Sequence, residues 1–214
     1  MPPEDILTSL GLDALIAGEA IGSSEAGRLV DPAGQRLVLV AAETNRSFRH
    51  VLEAEQPGAW AAAMAASGIS TGLKIATSLD TALAALGKPA LAALPLEACL
   101  ALLEHTFCAY GWGRLKIDLN DAADHGFVVA RLENGFTVET LPKVEDFVDA
   151  LIAGVLQGFF GHISGQNLGC VEIECVRRGA AQCTFVITAP ERLDLIAPAI
   201  GQEPAATLLA RLRQ

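Results

Sequence analysis

Residues 169–188 read GCVEIECVRRGAAQCTFVIT, and this stretch decides the fold that the sequence predicts. Apolar and β-branched side chains gather at its two ends, which is typical of strands. The predicted strands are Gly169 to Val176 and Gln182 to Thr188. The segment between them, with Gly179 at its centre, suits a turn. We therefore predict an antiparallel hairpin in which Cys175 and Cys183 lie opposite each other, because both are four residues from Gly179.

An amphipathic helix precedes this hairpin. From near Lys143 to Phe159, apolar side chains recur at the i, i+3, i+4, i+7 spacing. Small residues, including Gly154 and Gly158, line the other side. A glycine inside a helix costs about 1 kcal/mol relative to alanine. Their repetition therefore suggests that a second backbone or a flat ligand lies close to that side, and the simpler alternative is a helix packed on the sheet.

Further elements come earlier in the chain. Several short buried helices are predicted between Gln56 and Leu100, because alanine favours helix and glycines such as Gly68 interrupt the pattern. A longer helix is predicted from Leu96 to about Tyr110. Then the period changes from 3.6 to 2, which is typical of strands. The predicted strands are Leu115 to Leu119, Phe127 to Leu132 and a short Phe136 to Glu139.

The pattern as a whole predicts an α+β fold, an antiparallel twisted sheet packed with helices. Residues 1–43 form an N-terminal extension of one helix and one hairpin, with Leu37 to Val40 as a strand and a turn at Asp31 to Gly34. Residues 44–190 form the ligand-binding domain. Residues 191–214 add a C-terminal helix, predicted from about Ala205 to Arg213.

Composition limits the function classes. The chain has 214 residues with 25 acidic and 15 basic side chains, a net charge of −10, which argues against nucleic acid as a partner. Half of the residues are hydrophobic, which favours a compact fold. The start of the chain shows no leader pattern, so a cytoplasmic location and reduced thiols are expected. The uncharged stretch Ala150 to Val171 contains polar side chains, so no membrane insertion is expected.

Glu172, Cys175 and Cys183 form a Glu-x2-Cys-x7-Cys arrangement that suits zinc, which accepts sulfur and oxygen ligands. Asp149 and Cys170 are both candidates for a fourth ligand. In a straight strand Glu172 and Cys175 point to opposite faces, so joint binding requires a bulge. The alternative is that the two cysteines are simply small buried residues facing each other.

Other side chains suggest a ligand site. His105 and His162 could contact a bound ligand. Phe107, Tyr110 and Trp112 cluster where a helix meets a strand, a place where a flat apolar ligand could stack or where the rings could anchor the core. The sequence contains neither a Gly-x-Gly-x-x-Gly segment nor a phosphate-binding loop, so a reductase activity has no support from a cofactor motif.

Three segments together resemble the signature of the 4-vinyl reductase domain family: Gly154 to Gly161, Val171 to Cys175 and Gly179 to Phe185. The resemblance implies a fold like that of the TRAPP vesicle-tethering subunits, binding of a hydrophobic small molecule, and a homodimer. It also implies a zinc ion held by Glu172, Cys175 and Cys183 with a helical cysteine. Asp149 occupies the position of that helical cysteine here.

Within this family, Leu94-Pro95, His105 to Phe107 and Gly111 to Gly113 resemble the bacteriochlorophyll-biosynthesis J proteins. This similarity implies non-catalytic binding of a tetrapyrrole intermediate in an accessory or carrier role. The ligand-binding residues expected are His105, Phe107, Tyr110, Trp112, Gly154, Gly158 and His162. One alternative is a vinyl reductase that acts on a chlorophyllide. Another follows from a similarity of Trp112 to Leu119 and Leu156 to Phe160 to the cellulose synthase D subunit, a structural oligomer.

Overall fold

The computed structural model describes residues 3–15, 22–23, 27–30, 36–141 and 147–214. The elements of the first half are α1 (Pro3–Ser9), β1 (Gly22–Ser23), β2 (Leu29–Val30), β3 (Arg36–Leu37), α2 (Ala42–Glu55), α3 (Ala59–Ala85) and α4 (Leu96–Ala109). Those of the second half are β4 (Arg114–Asp118), α5 (Ala122–His125), β5 (Phe127–Glu133), α6 (Phe136–Thr140), α7 (Ala150–Ser164), β6 (Gly169–Glu174), β7 (Cys183–Thr188), α8 (Pro190–Leu193) and α9 (Ala205–Leu212). Single turns of 3-10 helix include Leu91–Ala93 and Val176–Arg178.

The main sheet has four antiparallel strands in the order β4-β5-β7-β6. The mixture of this sheet with helices confirms the predicted α+β fold, and β6 and β7 form the predicted hairpin. Ala130 lies opposite Phe185 on the central pair of strands. The register of β6 on β7 shifts between Glu172 and Glu174, which marks a β-bulge.

Both faces of the sheet are covered. On one face α4 and α7 bury large aromatic side chains, including Phe107, Phe159 and Phe185. On the other face α9 packs against a second apolar cluster that contains Phe127 and Leu208. Alternation of side chains along each strand supplies both faces with apolar groups. The C-terminal helix is therefore part of the sheet's packing.

α3 is one helix of 27 residues where several short helices were predicted. Gly68 and Gly72 lie inside it and face α7. A Cβ atom on Gly68 would lie 2.2 Å from the carbonyl oxygen of Leu151, and one on Gly72 would lie 2.1 Å from that of Val155. Glycine is required there because the two backbones touch. The buried contact with α7 outweighs the low helix propensity of glycine, so the helix continues.

The glycines of α7 take part in the same contact. A Cβ atom on Gly154 would lie 2.4 Å from the carbonyl oxygen of Ala65, and one on Gly158 would lie 2.2 Å from that of Ile69. The second backbone expected at this side is therefore α3. The prediction that Gly154 and Gly158 contact a ligand does not agree with this packing, because α3 fills the space.

Two predicted element boundaries are wrong. Residues 136–140 form the helix α6, not a strand. The carbonyl oxygens of Val138 and Leu141 at its end accept hydrogen bonds from the Arg177 side chain, so a tertiary contact stabilises the helical turn. The long helix begins at Ala150, not near Lys143. Asp149 therefore lies at the start of α7 and not within it.

The N-terminal region contains α1, which packs against α4, and a small sheet in the order β1-β2-β3. The predicted turn at Asp31 to Gly34 lies outside the described residues. The predicted strand from Leu37 to Val40 is shorter, because β3 ends at Leu37. Across the described ranges, we find no helix with the length and apolar character needed to cross a lipid bilayer.

Candidate metal centre and apolar cavity

Four buried side chains meet where the β6–β7 hairpin contacts the start of α7: Asp149, Glu172, Cys175 and Cys183. One potential ligand atom from each lies within 4.8 Å of all the others. These are the residues that the sequence and the family resemblance suggested as zinc ligands. Cys170, the other candidate for the fourth position, lies outside this group.

The bulge in β6 makes the arrangement possible. In a straight strand Glu172 and Cys175 would point to opposite faces of the sheet. The register shift between Glu172 and Glu174 changes this alternation, so that Glu172 and Cys175 reach the same side. The structure therefore contains the bulge that joint binding requires.

The two carboxyl groups are electrostatically unfavourable without a cation. Burial raises the pKa of Asp149 to about 6. Burial, and then the proximity of Asp149, raises the pKa of Glu172 to about 10. The Asp149 backbone N–H donates to Glu172 Oε2 at 3.0 Å, but Glu172 Oε1 and both carboxyl oxygens of Asp149 receive no N–H or O–H donor, and the two thiols are their polar neighbours. Buried oxygens without partners are costly, and a bound cation would remove that cost.

The two thiols form an unequal pair. Cys183 Sγ donates to Cys175 Sγ across 3.9 Å. The pKa of Cys183 is raised because its proton is held in this contact and because it is buried. The same contact lowers the pKa of Cys175 to about 5, aided by a hydrogen bond with the Glu172 carboxyl group and by hydrogen bonds from the backbone N–H groups of Arg177 and Val148. Cys175 is therefore the sulfur on which negative charge is best stabilised.

This donor set fits a zinc ion. Two thiolates and two carboxylate groups supply four ligands of the types that zinc accepts. Sites in which the protein supplies all four ligands are structural, since a catalytic zinc keeps one position for water or substrate. The group joins two parts of the chain, the start of α7 and the hairpin. A metal there would crosslink them.

A separate apolar cavity of about 330 Å³ lies between the start of α4, the end of α7 and the sheet. Its wall comes from several elements, and the residues are Leu91, Ala92, Leu94, Leu96, Cys99, Leu119, Ala122, Gly126, Phe127, Val128, Phe160, Ile163, Ser164, Leu168, Ile187 and Thr188. None of these described residues carries a charge at neutral pH. The wall therefore offers mainly van der Waals contact.

The polar side chains of the cavity wall already have partners in the protein. Cys99 Sγ donates to the carbonyl oxygen of Leu91 at 3.1 Å. The Ser164 hydroxyl donates to the carbonyl oxygen of Phe160 at 2.7 Å, and the Thr188 hydroxyl donates to that of Gly126 at 2.8 Å. A ligand without hydrogen-bonding groups would thus leave none of these donors unpaired.

Asp80 on α3 fixes one part of this wall. Its Oδ1 accepts the backbone N–H of Leu91 at 2.7 Å, and its Oδ2 lies 2.7 Å from His162 Nε2 on α7. Asp80 thus connects α3, α7 and the 3-10 turn at Leu91–Ala93. His162, a predicted ligand contact, is here a partner of Asp80 beside the cavity.

The other predicted ligand contacts do not line this cavity. Phe107 and Tyr110 pack edge to face on Trp112, with ring centroids 5.3 and 5.2 Å apart, and Phe107 is fully buried. These rings anchor the core at the end of α4, which was the alternative to stacking on a ligand. His105 borders a different hollow that Glu4 and Arg114 also line, and burial lowers its pKa.

The cavity residues escaped sequence analysis because they carry no recognisable chemistry. The wall draws on the segment between Leu91 and Leu96, which reads LAALPL, and on scattered positions of later elements. One signal was present. Apolar residues around Pro95, outside any long helix, indicated a buried turn between helices.

Comparison with known proteins supports a family and a fold. Residues 128–189 match the model of the 4-vinyl reductase domain, which is less than a third of the chain. The phenol-responsive sensory domain of the transcription activator PoxR, solved in a crystal structure with phenol, has a similar structure. The TM-score is 0.65 with 16% sequence identity, and the alignment covers 99% of this chain and 96% of that domain. This likeness shows a shared fold.

A vinyl-4-reductase family protein from Methanocaldococcus jannaschii also aligns, with a TM-score of 0.48 and 18% identity over 71% of this chain and 83% of that protein. No curated protein matches the sequence. The family model agrees with the resemblance found at the hairpin, because residues 128–189 contain both of its strands.

Proposed function

We propose that this protein binds a small, neutral, apolar molecule in the cavity between α4, α7 and the sheet, and acts as a sensory module. The observation that carries the proposal is the apolar and uncharged wall of the cavity. Water gains few hydrogen bonds in such a space, so an apolar ligand is favoured. The fold shared with the phenol-responsive domain of PoxR supports the sensory role.

The size of the cavity narrows the ligand class. Its volume of about 330 Å³ is near the lower end of the usual range for small-molecule sites. A single aromatic ring or two fused rings suit this volume. A tetrapyrrole, and with it a carrier role in bacteriochlorophyll biosynthesis, is the second candidate, motivated by the sequence resemblance. We rank it lower because a four-ring macrocycle requires a larger space.

The wall favours binding over catalysis. Among its described residues, Cys99 is the one with a titratable side chain. Burial raises the pKa of the Cys99 thiol to about 11, so it stays protonated and unreactive at neutral pH. General acid–base and nucleophilic chemistry both need a group that changes charge near neutrality.

We further propose that Asp149, Glu172, Cys175 and Cys183 hold a structural zinc ion. The support is the set of four buried donors within 4.8 Å of one another and the unpartnered carboxyl oxygens among them. The ion would fix the start of α7 to the hairpin. A reducing cytoplasm, the location we propose, would keep both thiols available for the metal.

The ligand proposal is tested with two probes, phenol and the fluorescent N-phenyl-1-naphthylamine. Val128→Phe fills the cavity from β5, and Val51→Phe makes the same change at an exposed site on α2. We expect at least one probe to bind the wild type at micromolar concentration, and Val128→Phe to weaken it about tenfold or more, or about 1.4 kcal/mol. Val51→Phe is expected to bind like the wild type. Equal affinity of all three proteins would overturn the proposal.

A parallel titration with protoporphyrin tests the tetrapyrrole. A shifted Soret band that Val128→Phe abolishes would place this ligand in the same cavity. An unshifted band at micromolar protein would remove it as a candidate.

The zinc proposal is tested by metal analysis of purified protein. We expect about one zinc per chain in the wild type and in Cys108→Ser, which changes an exposed cysteine outside the group. Cys175→Ser, Cys183→Ser and Asp149→Ala are expected to lose most of the metal. Equal metal content in all these proteins would refute the site.

A further inference from the structure

Cys175 and Cys183 are placed for a reaction with each other. Their sulfur atoms are 3.9 Å apart, and both belong to one hairpin, where Cys175 follows β6 and Cys183 begins β7. A disulfide needs a separation of about 2.0 Å. Rotation of the two side chains toward each other is the movement that would close this gap. Seven residues separate the two cysteines in sequence.

We propose that Cys175 and Cys183 are a redox-active thiol pair that hydrogen peroxide converts into a reversible disulfide. The disulfide itself depends only on the two cysteines. Its consequence for the protein, displacement of the metal, rests on the proposed zinc site, because the same two sulfur atoms serve both purposes.

The contacts of the pair assign a role to each sulfur. Cys175 Sγ accepts hydrogen bonds from Cys183 and from the backbone N–H groups of Arg177 and Val148. These donors stabilise a thiolate, which is the reactive form of cysteine. Cys183 Sγ donates toward Cys175 Sγ, and Cys175 but not Cys183 lines the cavity described below, so we assign Cys175 as the attacking sulfur and Cys183 as the resolving thiol.

A cavity that Cys175 borders is the route we propose for a small oxidant. The residue is only 1% exposed, and it forms part of the wall of this cavity of about 360 Å³. Glu174, Arg178 and Gly201 also line this cavity, and Arg178 donates to the carbonyl oxygen of Gly201 at 2.8 Å. Hydrogen peroxide is little larger than water, so it fits where larger oxidants do not.

The reaction balances without another reactant. The Cys175 thiolate attacks one oxygen of hydrogen peroxide, the O–O bond breaks, and Cys175 sulfenic acid and hydroxide form. Cys183 then attacks the sulfenic sulfur, the S–S bond forms, and the S–O bond breaks to release water. The hydroxide takes up the proton that Cys175 had lost to solvent. In total two thiols are oxidised and one peroxide is reduced to two waters.

The test uses the complete wild-type protein after zinc removal with 1,10-phenanthroline. Hydrogen peroxide is added, and free thiols, intact mass and linked peptides are measured. We expect the thiol count to fall from the five of the sequence to three, the mass to fall by about 2 Da, and dithiothreitol to restore both. Peptide mapping should join Cys175 to Cys183.

Two variants control the assignment. Cys108→Ser should still form the disulfide, because Cys108 lies outside the pair. Cys183→Ser should form none, and Cys175 should instead gain oxygen, since it lacks a resolving thiol. The proposal would be overturned if Cys175 and Cys183 stayed unlinked in the wild type, or if other cysteines were joined in preference.

A zinc-loaded sample separates this proposal from the metal site. If zinc occupies the group, loading should slow disulfide formation, and oxidation should release zinc to a fluorescent indicator. If the disulfide forms at the same rate with and without zinc, the thiol pair is supported and the metal site is refuted.

Discussion

Asp149 lies directly before α7, and its carboxyl group is buried. Its pKa is about 6 in the folded protein without metal and near the ordinary 3.8 when unfolded. A carboxyl group with a raised folded pKa stabilises the protein below its unfolded pKa, and this contribution is lost as the pH rises through the folded pKa. Glu172, whose pKa is raised to about 10, acts in the same direction over a wider range.

We therefore expect the metal-free protein to become less stable between about pH 4 and pH 6, because at higher pH the lowered pKa of Cys175, about 5, acts against the raised pKa of Glu172. The Asp149 contribution is about 3 kcal/mol, because its folded and unfolded pKa values differ by about two. Urea unfolding of chelator-treated protein measures the change. Asp149→Asn should make this dependence about half as steep, because the amide does not titrate and the Glu172 contribution remains. An equally steep loss in the variant would contradict the assignment to Asp149.

The residues of the candidate metal centre show how much of its geometry the sequence could predict. The spacing of Glu172, Cys175 and Cys183 was enough to suggest a shared site, because a hairpin brings its two strands together. The bulge could be stated as a requirement but not located, since it depends on the pairing of β6 with β7. Asp149 and Cys170 were both candidates for the fourth ligand, and the family resemblance pointed to Asp149, whose carboxyl oxygen is also a type of ligand that zinc accepts.

At the scale of elements, the contact between α3 and α7 depends on four glycines. A methyl group on Gly158 would lie 2.2 Å from the carbonyl oxygen of Ile69, whereas one on Gly161 would meet its nearest atom at 3.6 Å. We expect Gly158→Ala to destabilise the protein by about 3 kcal/mol or more, because backbone must move. Gly161→Ala is expected to be neutral or to stabilise by up to about 1 kcal/mol, through higher helix propensity. Thermal and urea unfolding would measure both, and similar stabilities would contradict the close packing.

Contacts between elements explain two differences between prediction and structure. Gly68 suggested a helix break because glycine has low helix propensity, but the close approach of α7 supplies a reason for glycine inside α3. Phe136 to Glu139 suggested a short strand because a turn signal precedes it, but Arg177, distant in sequence, binds the carbonyl oxygens at the end of α6. In both cases contacts between segments distant in sequence determine the local structure, and short sequence patterns do not show such contacts.

Asp80 is expected to act as a positioning residue for the ligand cavity. Asp80→Ala removes the acceptor for the Leu91 N–H and the partner of His162, so the 3-10 turn loses its anchor. We expect N-phenyl-1-naphthylamine to bind several-fold more weakly, with the zinc content unchanged. Thr81→Ala is the control, since the Thr81 hydroxyl bonds only to its own helix, at Thr77. Unchanged binding in Asp80→Ala would show that the wall keeps its position without this anchor.

At the scale of the whole molecule, we predict which surface would form the homodimer expected from the family resemblance. Apolar side chains are exposed on α2 and just before it, including Leu39 at 77% and Phe48 at 59%. Burial of such a patch between two copies would stabilise a dimer. We expect light scattering to give a dimeric mass for the wild type and a monomeric mass for Phe48→Asp. Leu195→Asp, at an exposed site after α8, should leave the mass unchanged. A monomeric wild type would refute the dimer.

The α3–α7 contact also sets the smallest piece of this protein that can fold independently. The match to the family model spans residues 128–189 and contains α7 but not α3. A truncation at residue 128 would remove α3. It would thereby expose the backbone of α7 at Gly154 and Gly158, where α3 packs. Such a fragment should be recovered as aggregate, whereas one beginning at residue 56 keeps the helix pair. We therefore expect the autonomous folding unit to be larger than residues 128–189, the region that matches the family model.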